Sequence, residues 1–149
     1  MSTTRGRILW TPSPPRAEAS TMADFERWLA DEKGRSFEDY NAMWRWSVSD
    51  LEGFWAALAE YADIPMSQPP ERILGDRRMP GADWFPGARL NYVDNIFKHV
   101  PGRETEVALV QQSETFGRST LTWAELQTRV ARLAARLRDM GVAHGDRVV

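Results

Sequence analysis

Cysteine is absent from this 149-residue chain, and its only lysines are Lys33 and Lys98. Without cysteine the chain can form no disulfide, thiolate metal site or cysteine nucleophile, and its composition suits a reducing cytoplasm. Histidine is as scarce. His99 and His144 have no ligand spacing, so they read as exposed polar residues. No apolar run reaches membrane-spanning length, and Arg5 and Arg7 are not followed by an apolar stretch of the secretory type. The net charge of -2 is spread along the chain, which leaves no electrostatic case for nucleic acid. A Gly-rich phosphate cradle is missing too. Tryptophan, by contrast, is frequent, with seven residues at 10, 28, 44, 46, 55, 84 and 123. Side chains of that size need burial or a partner surface.

The chain is long enough for one ordinary domain with a core. Residues 1–7 are expected to fray. Thr11-Pro12-Ser13-Pro14-Pro15 is expected to be extended, because proline removes donors and restricts its neighbours; it reads either as a free polyproline ligand for a proline-binding module or, preferably, as an arm pinned to its own domain by Trp10. Three helix starts follow, each a Ser or Thr with an acid three residues on: Thr21 with Asp24, Ser36 with Asp39, and Ser49 with Glu52. Their spacing predicts apolar faces of Met22, Phe25 and Leu29 (Trp28 beside them), of Phe37, Tyr40 and Trp44, and of Leu51, Phe54, Trp55, Leu58 and Ala62. Gly34 ends the first helix and Ile64-Pro65 the third. Aromatic stripes at helical spacing read as core rather than as a cofactor box.

Residues 65–89 hold much of the proline and glycine and no helical period, which predicts an irregular loop that wraps or binds something. Trp84-Phe85 reads either as a ligand platform or, preferably, as a plug into a neighbouring core. Asn91 caps a short helix, Tyr92–His99, that buries Ile96 and Phe97. Then Glu106–Gln112 reads as a largely buried strand, residues 113–118 as a hairpin loop, and Ser119–Leu121 as the returning strand. Thr122 and Glu125 form a capping box. Leu126, Val130, Leu133, Leu137 and Met140 line one face of the helix behind it. Gly141 stops that helix in a left-handed cap that returns Val142 to Leu137, and Gly145-Asp146 turns into a strand opening at Arg147.

Leu121–Leu126, Val130-Ala131, Leu137, Met140–Val142 and Gly145–Val149 together resemble the opening of the adenylate-forming superfamily, which includes acyl-CoA synthetases and luciferases. Residues 76–92 are similar to the N-terminal extension of the acetoacetate–CoA ligases, the acetoacetyl-CoA synthetase branch. Trp84-Phe85, Gly87 and Leu90-Asn91 alone would be shared with acetyl-CoA synthetases, whereas Arg77-Arg78-Met79-Pro80-Gly81 favours the acetoacetate branch. Leu9–Pro14, Asp39-Tyr40 with Trp44–Val48, and Phe54–Leu58 carry the same resemblance. Val93 and Asp94 depart from it, standing where relatives often have Ala and Glu.

The resemblance implies an α+β fragment: a helical extension with its wrapping loop over 1–100, then the first hairpin–helix–strand of a large α/β AMP-binding domain over 101–149, cut short. It implies a cytoplasmic parent enzyme that joins acetoacetate to ATP, with magnesium, and passes the acyl group to coenzyme A. The family's Pro-Lys phosphate loop, acidic nucleotide residues and C-terminal lysine are not in this sequence. No catalytic, cofactor-binding or metal residue is therefore expected here, and the partner is the rest of the same chain. Weaker candidates read blandly: Asp76/Asp83 and Asp31/Glu32 as acidic pairs without a pocket, and Arg129, Arg132 and Arg136 as a solvated helix face. Two other readings compete, a self-contained Trp-rich interaction module and an adenylating activity of the fragment itself. The missing phosphate loop weakens the last.

Overall fold

The computed structural model describes Gly6 and residues 8–149. The expectations for residues 1–5 and for Arg7 lie outside that range. The chain forms two compact units, the first ending at Arg89 and the second spanning Leu90–Val149. The class is α+β, with helices and, among the described residues, two small sheets. By contacts the second unit takes in the short helix after Asn91, which the sequence division at residue 100 assigns to the first segment.

The first unit opens differently from expectation. Pro14–Glu18 is a one-turn helix, α1, and not part of an extended arm. Proline's fixed φ suits the first helical turn, where its missing N–H would have no partner anyway. Trp10 does not act as a pin, since it is 67% exposed and has the Arg16 guanidinium 5.6 Å above its ring.

Three longer helices follow: α2 (Thr21–Lys33), α3 (Tyr40–Ser49) and α4 (Leu51–Tyr61). All three exist where the periodicity placed them, but each cap sits on a neighbouring residue. Ser20, not Thr21, accepts the Ala23 amide at 3.2 Å. Asp39, not Ser36, accepts the Ala42 amide at 2.7 Å, and Asp50, not Ser49, accepts the Gly53 amide at 3.0 Å. Asp and Asn cap at least as well as Ser and Thr, so an acid after a serine competes for the position. Gly34 ends α2 with φ 60°, as its lack of a Cβ allows.

These helices bury Phe25, Leu29, Met43, Trp46 and Ala57, with Trp28, Phe37, Phe54, Leu58 and Tyr61 packed around them. The aromatic stripe is therefore core in part. On α3 the inward face is Met43 and Trp46, and the expected Tyr40 and Trp44 point outward, because the helix starts at Tyr40 and turns that stripe away. Phe37, ahead of the helix, still reaches Trp46 with ring centres 5.3 Å apart. Met22 is also exposed.

Beyond α4 the Pro/Gly-rich segment is less irregular than its composition suggested. After β1 (Met66–Gln68) the chain doubles back on itself. Phe85 donates to the Ile73 carbonyl, Gly75 to Asp83 and Asp83 to Asp76, at 2.8, 2.7 and 2.8 Å. A Cβ on Gly75 would collide with the Asp83 carboxylate, which would have to turn away. Ser67 then donates to the carbonyl of Arg89, the first residue of β2 (Arg89–Leu90).

In the second unit, α5 runs over Tyr92–Phe97, shorter than expected, under the predicted Asn91 cap to the Val93 amide at 3.1 Å. Ile96 and Phe97 are only half-buried, whereas Val100 is buried. β3 (Val107–Gln111) and β4 (Ser119–Thr122) pair antiparallel with an irregularity between Val107 and Leu109, and α6 (Trp123–Asp139) packs on both. The capping box is complete: Thr122 Oγ1 accepts the Glu125 amide at 3.3 Å, and Glu125 Oε2 accepts the Thr122 amide at 2.8 Å. At the other end Gly141 has φ 87°, its amide donates to Arg138 and that of Val142 to Leu137, the predicted Schellman cap.

Two further expectations for this unit fail. Val107, Leu109 and Val110 are 54%, 49% and 56% exposed, so β3 is not a buried strand; a two-stranded hairpin with one helix on it covers a single face. Residues 147–149 do not form a strand, since among the described residues no neighbouring strand offers them a ladder. Their turn is present, with Asp146 Oδ2 accepting the Ala143 amide at 2.7 Å.

Candidate functional site

Three places gather chemistry-bearing side chains. The first lies where α2, α3 and α4 meet and is organised by Asp50. That residue ends α3 and starts α4: its amide donates to the Trp46 carbonyl, and its carbonyl accepts from Phe54. Its carboxylate accepts from the Gly53 amide through Oδ1 and from the Trp46 indole through Oδ2, each at 3.0 Å. The indole bond and then the amide hold the Asp50 carboxyl below its ordinary value. A Cβ on Gly53 would run into that carboxylate, which accounts for a glycine inside the first turn of α4. The Arg35 guanidinium lies 4.8 Å over the Trp46 ring. Next to it Lys33 binds Glu60 at 2.6 Å, and its ammonium stands 5.3 Å over Trp28. Tyr61 donates to Asp24 at 2.8 Å, giving α2 a second polar tie to α4.

The second place is an apolar concavity of about 210 Å³ lined by Trp55 of α4 and by Trp84 and Phe85 of the doubled-back segment. The third is a shallow depression on α6 lined by Ala124, Glu125, Thr128, Arg129 and Arg132.

The sequence candidates fall out as follows. Arg129 and Arg132 share that open depression, and Arg136 is exposed further along α6. Asp76 and Asp83 are neighbours through their backbones, but the Asp76 carboxylate turns to Arg78 at 3.4 Å. Asp31, Glu32, His99 and His144 are exposed. Among the described residues, no group of three or more His, Asp or Glu side chains could hold a metal ion. Lys33 is paired with Glu60, and Arg129 and Arg132 of α6 lie on an open helix face. No helix of the described residues is long and apolar enough to cross a membrane. Asp50 is what the sequence reading passed over. The signal was there, an aspartate with a glycine three residues on, hidden behind the more familiar Ser49–Glu52 pair.

Comparison with known proteins adds what the geometry does not. Residues 40–96 match the family described as Acetyl-coenzyme A synthetase N-terminus. The chain is 37% identical over 142 residues to the acetoacetyl-coenzyme A synthetase of Rhizobium meliloti (strain 1021), covering 95% of this chain and 21% of that one. It is 35% identical over 147 residues to the acetoacetyl-CoA synthetase of Danio rerio, covering 96% and 21%. Among solved structures, the acetoacetyl-CoA synthetase from Streptomyces lividans is similar with a TM-score of 0.87 and 44% identity over 95% of this chain and 22% of that one. This chain thus spans about a fifth of the length of the relatives it matches.

Proposed function

We propose that this chain is the N-terminal portion of an acetoacetate–CoA ligase, an acid–thiol ligase of the adenylate-forming superfamily. The observation that carries the reading is the similarity to acetoacetyl-CoA synthetases along 95% of the chain, in fold as well as in sequence. In this reading residues 1–100 are the helical extension, and 101–149 open the AMP-binding domain. The parent enzyme activates acetoacetate with ATP, releasing pyrophosphate. It then passes the acyl group from AMP to the coenzyme A thiol, giving acetoacetyl-CoA and AMP.

ATP, magnesium and coenzyme A are bound by the parent outside this chain. The share of residues 1–149 is architectural, with no catalytic, nucleotide-binding or metal residue. Their partner is the rest of the parent chain, and a composition without cysteine suits a cytoplasmic enzyme. Exposed Tyr40 and Trp44 are the feature that speaks for a free-standing interaction module, but similarity running through the whole chain favours the ligase.

Pyrophosphate exchange tests both halves of the reading. The parent, with acetoacetate, ATP and magnesium, should exchange pyrophosphate into ATP and form acetoacetyl-CoA in preference to acetyl-CoA. Residues 1–149 alone should stay at background. A parent that prefers acetate overturns the substrate, and exchange by the repurified 149-residue chain overturns the architectural role.

A further inference from the structure

The concavity of Trp55, Trp84 and Phe85 combines apolar walls with an unusual backbone. Trp55 and Trp84 lie 5.5 Å apart between ring centres at an interplanar angle of 59°, so their faces diverge around the space that Phe85 closes. Both indoles remain more than a third exposed, at 38% and 39%. In an extended segment, neighbouring side chains point to opposite faces. Trp84 and Phe85 nevertheless line the same hollow, and Phe85 has φ 50°, left-handed and rare for a bulky residue. Such a conformation persists where surrounding structure fixes it. Here the backbone breaks its alternation, and two adjacent aromatics share one hollow.

The lining offers almost no polar atom, so a carboxylate, phosphate or pantetheine amide would find no donor in it. An apolar group fits. About 210 Å³ exceeds the ~150 Å³ in which a benzene-sized ligand sits in a dry engineered cavity. The relatives carry roughly four-fifths of their length outside the matched part, so most of the surface available to cover the hollow belongs to the same polypeptide.

Resting on the ligase reading above, we infer that Trp55, Trp84 and Phe85 form a socket for an apolar side chain from the part of the parent chain beyond residue 149. The socket is a seam between the extension and the body of the enzyme. An aromatic cluster of this kind, desolvated by a single knob, is the arrangement that dominates interface energetics.

The test uses the full parent protein with a photoreactive benzoylphenylalanine at position 84 and, separately, at 55, irradiated at a concentration where the protein is monomeric. Cross-linked peptides are then identified by mass spectrometry. An intramolecular link from both positions to a segment beyond residue 149 is expected. Hydroxyl-radical oxidation of Trp84 in the unmodified parent should be severalfold slower than that of Trp10. Links only within 1–149, links between two copies, or Trp84 oxidised as fast as Trp10 each overturn the socket. Occupation of the hollow in the intact parent by a small apolar compound such as benzene, with no link to a segment beyond 149 formed in its absence, would do the same. Ligase activity is assayed on the same unmodified sample. Activity without the expected links refutes the socket alone, and links without activity refute the ligase reading while leaving the socket standing.

Discussion

The three-helix unit and the hairpin–helix unit are held in different ways. Helices α2, α3 and α4 bury Phe25, Leu29, Met43, Trp46 and Ala57 against one another, whereas no residue of β3, β4 or α6 is buried. Yet α6 has the better-made ends, with a reciprocal capping box at one and a Schellman cap at the other. Its Leu133 and Met140 remain 61% and 65% exposed on the face that periodicity marks as apolar. The contrast separates two requirements that a helix usually meets together. Caps and backbone bonds define where it starts and stops, and burial requires a surface that the helix does not itself carry.

The sharpest way to break this comparison is to shave one leucine from each unit. Leu29 is 0% exposed, so Leu29→Ala should cost about 2–5 kcal/mol through lost burial and an unfilled cavity. Leu133→Ala in the same 149-residue chain should stay within about 0.5 kcal/mol, as at an ordinary surface position. Urea unfolding followed by the tryptophan signal and by far-UV dichroism measures both. Equal losses would mean that α6 is as well covered as α2. Under the ligase reading, Leu133→Ala should become costly in the full parent, where more chain is available to pack on it.

A smaller effect compares the two kinds of cap. Asp50→Ala removes a cap worth about 0.5–2 kcal/mol. It also leaves the indole N–H of Trp46, a residue only 8% exposed, without its acceptor, at a further cost of about 1–3 kcal/mol. Thr122→Ala removes a cap alone, on exposed surface, and should cost about 1 kcal/mol. Hydrogen exchange on the two variants should show loosening across α3 and α4 in the first and only in the first turn of α6 in the second. If Asp50→Ala is no worse than Thr122→Ala, Asp50 is a simple cap and does not join two helices.

The same contrast explains what could be read from the chain beforehand. Among signals confined to a few consecutive residues, the Thr122–Glu125 box, the Gly141 stop, the Gly34 stop and the Asn91 cap stand where spacing put them, whereas the caps expected at Thr21, Ser36 and Ser49 fall on Ser20, Asp39 and Asp50. Faces were harder. Tyr40 and Trp44 keep helical spacing but point outward, because a helix beginning after Asp39 directs Met43 and Trp46 to α2 and α4, and spacing alone cannot rank two aromatic stripes. Burial of β3 was misjudged for a different reason. Its apolar run is suited to a sheet interior, and the described strands offer only one neighbour. The doubled-back ladder of residues 71–86 was invisible because its bonds join segments ten or so residues apart with no alternating pattern. The candidate site followed the same rule. The poverty of lysine and histidine was plain from composition, and the meeting of Trp55 with Trp84 was not, since it joins a helix to a loop distant in sequence.

The smallest expected effect uses pH to tell the units apart. Tyr61 donates to Asp24, and each group shifts the other: the Asp24 carboxyl is held below its ordinary 3.8, first by Tyr61 and then by Arg27, and the Tyr61 phenol is held above its ordinary 10.0 by Asp24. A lowered acid adds stability that is present above its unfolded value and is lost as pH falls through the folded one. A raised phenol adds stability that is present below 10.0 and is lost as pH rises through its higher folded value. The α2–α4 tie should therefore loosen at both extremes. The hairpin–helix unit has an acid limb of its own, since Glu106 is lowered by Arg103 and Glu125 by the Thr122 amide, but neither involves a phenol. Tyr61→Phe should flatten the alkaline limb of the first unit and weaken its acid limb, because the bond that shifts Asp24 most is gone. The acid response of α6 should be untouched. Asp24 is exposed and Tyr61 only partly buried, so the change will be small, and it is best read as the pH dependence of amide exchange in α2 and α4 rather than as a melting temperature. An alkaline limb that survives in Tyr61→Phe would assign it to another group and leave Lys33–Glu60 as the tie between those helices.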